Sequence, residues 1–187
     1  MAVRRSRLAE GQAIEGVELF SLKVNRDDRG EFTEVFKSTW NSPLEPEQFS
    51  LVRSEKNVMR GCHLHWHHDE YFCLLSGAAS VGLRDERPDS PTRNNWSLYF
   101  LCEEDMAALV FPSGLVHGWY FHERSVHLQG VSEVYDTYNS YDNHRINWLD
   151  PDLEIPWPSS EGVLTDLATD APSLKEFRRS SRFEPAD

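Results

Sequence analysis

The chain has 187 residues, of which 39% are hydrophobic and 27% charged, with a formal charge of −12. One domain suits this length, and the apolar share is enough for a sizeable core under a charged surface. The acidic balance excludes a nucleic-acid partner, which would reward a basic face, and no run of about 18 apolar residues is present to span a membrane.

Residues 1–15 carry Arg4, Arg5 and Arg7 with no apolar stretch behind them, so no secretory signal is read and a cytoplasmic location is expected. That segment and residues 180–187 are expected to be flexible ends of a single domain. Val17–Val24 reads as a strand ending at the turn-like RDDRG, and Glu31–Lys37 follows with Phe32, Glu34 and Phe36 on one face. Beyond a Pro- and Glu-rich loop come Phe49–Arg53, Val58–Trp66, Tyr71–Leu75 and Ala79–Arg84. Trp96–Cys102, Ala107–Phe111, Gly118–Phe121 and His127–Val131 complete the set. About ten short strands with regular turn signals point to an all-β sandwich or barrel, most simply a jelly roll. Tyr135–Ser160 reads as ordered but irregular, and Ala171–Arg182 as a short C-terminal helix with Pro172 in its first turn. Cys62, Cys73 and Cys102 lack CxxC spacing and read as core residues in a reducing compartment.

Chemistry concentrates in Arg60–Gly77, RGCHLHWHHDEYFCLLSG. On a strand His63 and His65 point to the same face, and Glu70 returns on the next strand of a hairpin. His117 follows a Pro-x-Gly turn in FPSGLVHGWYF. His63, His65, Glu70 and His117 form a candidate ligand set for a divalent Fe, Mn, Ni or Zn ion; no organic cofactor is expected. His67, His68, His122 and His144 read as polar surface residues. Trp66 and Trp119 flank the expected pocket and offer stacking surfaces.

Two patterns carry a resemblance. His63, His65, Glu70 and Gly77, followed by Pro112, Gly114 and His117, fit the cupin signature H-x-H-x3,4-E-x6-G with P-x-G-x2-H, which implies a cupin β jelly roll with its site in the barrel mouth. From about Val17 to Leu174 the chain resembles the dTDP-4-dehydrorhamnose 3,5-epimerase family, on DDRGEFTE at Asp27–Glu34, RGCH at Arg60–His63, Gly114–Trp119 and WLDPDLEIPWP at Trp148–Pro158. The resemblance implies a homodimer acting on a nucleotide-diphosphate sugar. His63 is then the base that removes the proton next to a C4 ketone, and Asp170 orients it, with Asp166 as a rival. Arg29 and Glu34 bind the nucleotide, Arg60 the diphosphate, and His117 lines the pocket.

Two positions depart from the family. Glu70 stands where the family has a lysine that stabilises the enolate. The family's tyrosine acid falls near Ser132 or Gly130, with Tyr135 and Tyr138 nearby. Three functions follow: an epimerase or isomerase of a nucleotide-linked 4-keto-6-deoxy sugar; a metal-dependent cupin enzyme such as a dioxygenase, dehydratase or lyase; or a sugar-nucleotide-binding cupin without catalysis.

Overall fold

A computed structural model describes residues 4–40, 42–138 and 142–180, apart from the side chains at 137 and 138. The strands are β1 (Arg7–Gly11), β2 (Glu18–Ser21), β3 (Val24–Asp27), β4 (Gly30–Thr33), β5 (Gln48–Ser54), β6 (Met59–Leu64), β7 (Glu70–Ser76), β8 (Ala78–Asp85), β9 (Trp96–Cys102), β10 (Ala107–Phe111), β11 (Leu115–Phe121), β12 (Ser125–Val131) and β13 (His144–Arg145). They pair as a six-stranded sheet, β1-β9-β8-β11-β6-β13, a five-stranded sheet, β2-β10-β7-β12-β5, and the separate hairpin β3-β4. Sequence neighbours divided between two facing sheets make the jelly roll.

Alternation along the strands builds three cores. Phe72, Leu74, Val81, Leu83, Leu109, Phe111, Trp119 and Phe121 fill the space between the sheets. Cys62, Leu64, Val116 and Tyr120 turn outward from the six-stranded sheet and meet Ile146, Trp148, Leu153, Leu174 and Phe177 of the C-terminal segment. On the other sheet Tyr71, Cys73, Ala108 and Val110 face outward and are covered by Leu44, Val35 and Phe36. With both faces covered, β8 is buried along its entire length, its polar Ser80, Arg84 and Asp85 included.

Several elements differ from the sequence expectation. Arg7–Gly11, within the stretch expected to be flexible, pairs with β9. Val17–Val24 divides into β2 and β3. The strand expected over Glu31–Lys37 stops at Thr33, because its pairing partner is the short β3. Phe32 is 64% exposed while Phe36 joins a core. The irregular stretch after β12 contains α1 (Tyr135–Tyr138), β13 and a 3-10 turn at Pro151–Leu153. Two helices follow instead of one: α2 (Asp166–Thr169) and α3 (Leu174–Arg178). Ser173 and Glu176 form a capping box at the start of α3, so the helix begins after Pro172.

The β6–β11 ladder places the histidines. Its register pairs His117 with His63, then slips between His117 and Gly118. Gly61 lies at this bulge with φ +107, and a Cβ there would come within 2.7 Å of the His117 carbonyl. Glycine is therefore required where the two backbones close on each other.

Candidate active site

His63, His65 and His117 converge from β6, the loop after it and β11. The His65 and His117 ring centres are 5.0 Å apart, and His63 lies 6.2 and 6.1 Å from them. Opposite them β7 presents Glu70, which accepts hydrogen bonds from Gln129 Nε2 at 3.0 and 3.3 Å. His65 Nε2 and His117 Nε2 lie 3.3 and 3.5 Å from the same carboxylate oxygen.

Tautomers follow from the other ring nitrogens. His65 Nδ1 lies 2.6 Å from the Asp142 carbonyl, and His117 Nδ1 lies 3.0 Å from the Leu115 carbonyl. A carbonyl only accepts, so both Nδ1 atoms carry the proton. Both Nε2 atoms then point at the Glu70 carboxylate. Burial pushes the His117 pKa down to about 4, which keeps that ring neutral at physiological pH. Two imidazole nitrogens and a carboxylate converging on one point form an arrangement that a cation would satisfy. Among the described residues two such buried groups occur: His65, Glu70 and His117; and His65, His68 and Asp142. His63 belongs to neither. The expected four-residue ligand set thus reduces to three, because His63 offers no nitrogen within 4.8 Å of all the other ligand atoms.

His68 and His144 are buried rather than on the surface. His68 is 1% exposed, with Nδ1 3.2 Å from Asp142 and Nε2 3.8 Å from Glu70. Burial opposes its charge, but the two carboxylates outweigh that and raise its pKa to about 9. Glu70 is held well below the usual carboxylate range: burial pushes it up, and the surrounding histidines more than offset that. The imidazolium thus balances a buried anion. The His144 ring lies 5.4 Å from Phe177 and tilted to it, whereas His67 is exposed and His122 is half-buried, 2.9 Å from Ser80 Oγ.

His63 is half-buried, and among the described residues its ring makes no hydrogen bond or ion pair. Burial, then the nearby charges of His117 and His65, lower its pKa to about 3, so it is a neutral base. Asp170 is not brought to it. The carboxylate is exposed at the C-terminal end of α2, because that helix rides on the surface. Asp166 is also exposed.

Arg29 is 90% exposed and paired with Asp27, and Glu34 is paired with Lys37. Both stand on or beside the β3-β4 hairpin, whose surface hollow of about 440 Å³ is lined by Arg26, Arg29 and Phe32. Arg60 donates to Ser54 Oγ at 2.8 Å and to the Arg53 carbonyl at 3.2 Å. Trp119 is a wall of the core rather than a stacking surface: it is buried, with its ring 5.3 Å from His117 and 5.2 Å from Phe72. Trp66 is half-buried.

Neither candidate for the tyrosine position faces the histidines. Ser132 Oγ accepts from the Asp69 amide, and a Cβ at Gly130 would point at Phe49 and Tyr71 on the outer side of the sheet. Buried Val131 stands opposite Glu70 in the ladder. The Tyr135 side chain is exposed, and that of Tyr138 lies outside the described residues.

Sequence reasoning missed Asp142, Gln129 and Arg145. The Asp142 carboxylate accepts from the Trp66 and His67 amides at 2.6 and 3.0 Å, fixing the loop that carries the histidines. Nothing in the local sequence marks it.

A family model described as dTDP-4-dehydrorhamnose 3,5-epimerase matches residues 11–176. The spore coat polysaccharide biosynthesis protein SpsL of Bacillus subtilis is 30% identical over 77% of this chain and 96% of its own length. The dTDP-4-dehydrorhamnose 3,5-epimerase of Pseudomonas aeruginosa is 30% identical over 94% of this chain and 95% of its own. Among solved structures, NovW, a 4-keto-6-deoxy sugar epimerase from Streptomyces spheroides, superposes with a TM-score of 0.80 at 26% identity, covering 95% of this chain and 93% of that one. ChmJ, a 3'-monoepimerase from Streptomyces bikiniensis in complex with dTDP-quinovose, gives 0.80 at 25% identity, covering 90% and 88%.

Proposed function

The chain belongs to the dTDP-4-dehydrorhamnose 3,5-epimerase family, and we propose that it is an epimerase or isomerase of a dTDP-linked 4-keto-6-deoxy sugar in carbohydrate or natural-product biosynthesis. The observation that carries this is His63: a neutral imidazole with its lone pair uncommitted among the described residues, on the inward face of β6. It removes the proton from the carbon next to the ketone, leaving an enolate, and a proton is then returned to that carbon. Glu70 is an anion in this pocket, and its repulsion of the enolate is offset by the His68 imidazolium and the Gln129 donor.

We further propose that it acts as a cytoplasmic homodimer. Phe32, Phe49 and Leu51 are exposed, the latter two on the edge strand β5, and pairing of copies would cover them. The free, buried Cys62, Cys73 and Cys102 suit a reducing compartment.

Deuterium entry from D2O into dTDP-4-dehydro-6-deoxyglucose, followed by NMR, tests the reaction. Exchange next to the ketone that disappears in His63→Asn is the expected result. No exchange alongside retained dTDP binding would instead mark a sugar-nucleotide-binding protein without this chemistry.

The convergence of His65 Nε2, His117 Nε2 and Glu70 favours a second reading, a metal-dependent cupin enzyme with an Fe, Mn, Ni or Zn ion at these residues. A bound divalent ion would act there as a Lewis acid on a substrate oxygen. Elemental analysis of protein purified without an affinity tag decides it. Near-stoichiometric metal that is lost in His65→Ala and Glu70→Ala supports this reading, and none after reconstitution rejects it.

A further inference from the structure

We infer that Arg145 is the cation of this site, holding an anionic oxygen of the substrate beside His63; the inference rests on the reaction proposed above. The edge strand β13 pairs with β6, and Arg145 stands directly opposite His63. Directly opposed residues send their side chains from the same face of a sheet, with Cβ atoms about 5 Å apart. The neighbours confirm the alternation: His144 pairs with outward-facing Leu64 and lies against Phe177, and Ile146 enters the outer core. The positive charge of Arg145 is felt at His63, where it disfavours the imidazolium.

What sets Arg145 apart is its lack of a partner. It is half-buried, yet among the described residues its guanidinium makes no hydrogen bond or ion pair. The other buried or half-buried arginines among the described residues are committed: Arg84 and Arg178 to Glu86, Arg87 to Asp85, and Arg4 to Glu104 and Glu123. A partly desolvated guanidinium left unpaired is costly unless an anion completes it.

The reaction needs such a group. Glu70 occupies the expected lysine position, so β7 supplies no cation there, while the substrate brings a diphosphate and develops an enolate oxygen. A planar guanidinium suits either oxyanion. Arg145 also lines a surface groove of about 380 Å³ with Asn143, His144, Asp170, Glu176 and Phe177, so part of its side chain is reached from solvent.

The test compares wild type, Arg145→Lys and Arg145→Met in two measurements: calorimetric binding of dTDP, and the kcat and KM of deuterium exchange into dTDP-4-dehydro-6-deoxyglucose. If the oxygen is the enolate, Arg145→Met lowers the exchange kcat by about 100-fold, leaves dTDP affinity nearly unchanged, and Arg145→Lys recovers part of the rate. If it is the diphosphate, dTDP binding weakens by about tenfold or more and kcat at saturation is retained. Both quantities within about twofold of wild type would overturn the inference. Should wild type bind dTDP but exchange nothing, the proposed reaction fails and the binding comparison alone decides Arg145. Wild type that neither binds nor exchanges overturns both.

Discussion

His127 offers a quantitative test of how this barrel tolerates a buried imidazole. The ring is completely buried, stacked against Phe72 at 4.6 Å and Phe121 at 5.4 Å, with Trp119 at 6.0 Å. Neither nitrogen has a hydrogen-bond partner among the described residues. Burial, with the Arg60 charge adding to it, pushes the pKa down to about 3. A histidine whose folded pKa lies below its unfolded value of about 6.5 contributes stability that is present above 6.5 and is lost as pH falls toward the folded pKa. At pH 5 the unfolded ring is almost fully protonated and the folded ring is not. Protonation of the unfolded chain therefore removes about 2 kcal/mol of stability between pH 7 and pH 5. His127→Phe keeps a flat ring in an aromatic slot and abolishes that loss. It also removes the cost of two unsatisfied nitrogens, about 1–3 kcal/mol at any pH. For a chain of this length the variant should melt about 2–10 °C above wild type at pH 7, and the gap should widen by about 4–8 °C at pH 5. Thermal melts by circular dichroism at the two pH values measure both numbers. A gap that does not widen on acidification would show that the native ring takes up a proton as readily as the unfolded one and refute the reasoning.

Three further outcomes follow from the same structure. His63→Asn should lower solvent exchange into the keto sugar by about 10²–10⁴-fold with an unchanged melting temperature; retention of more than a tenth of the rate would remove His63 from the base role. Stability carried by the raised pKa of His68 is fully present below about pH 6.5 and is lost as pH rises through its folded value near 9. His68→Gln should flatten that alkaline limb in urea titrations, and an unchanged limb would deny the His68 charge. Asp142→Ala strips the acceptor from the Trp66 and His67 amides and the counter-charge from His68, at a cost of about 3 kcal/mol by urea denaturation. A cost under about 1 kcal/mol would mean that this loop is held by other contacts.

Much of the architecture is legible along the chain because strand alternation and turn chemistry are local. Tyr71–Leu75, Trp96–Cys102 and Ala107–Phe111 all announce themselves as strands. The H-x-H spacing is also local, and it places His63 and His65 on one face without reference to the rest of the molecule. The ordered blocks from Asp27 to Pro158 carry the family by residue identity alone. What the chain does not display is which strands meet and in what register. His65 meets the Asp142 carbonyl across 77 positions, and Arg145 reaches His63 only because two residues of β13 add an edge to the six-stranded sheet. The ladders also put Val131 opposite Glu70 and stop Glu31–Lys37 short, and Asp170 stays on the surface at the end of α2. Residue identity thus determines which groups are available for chemistry. Cross-strand register and burial, which depend on partners remote in the chain, decide which of them converge and in what charge state.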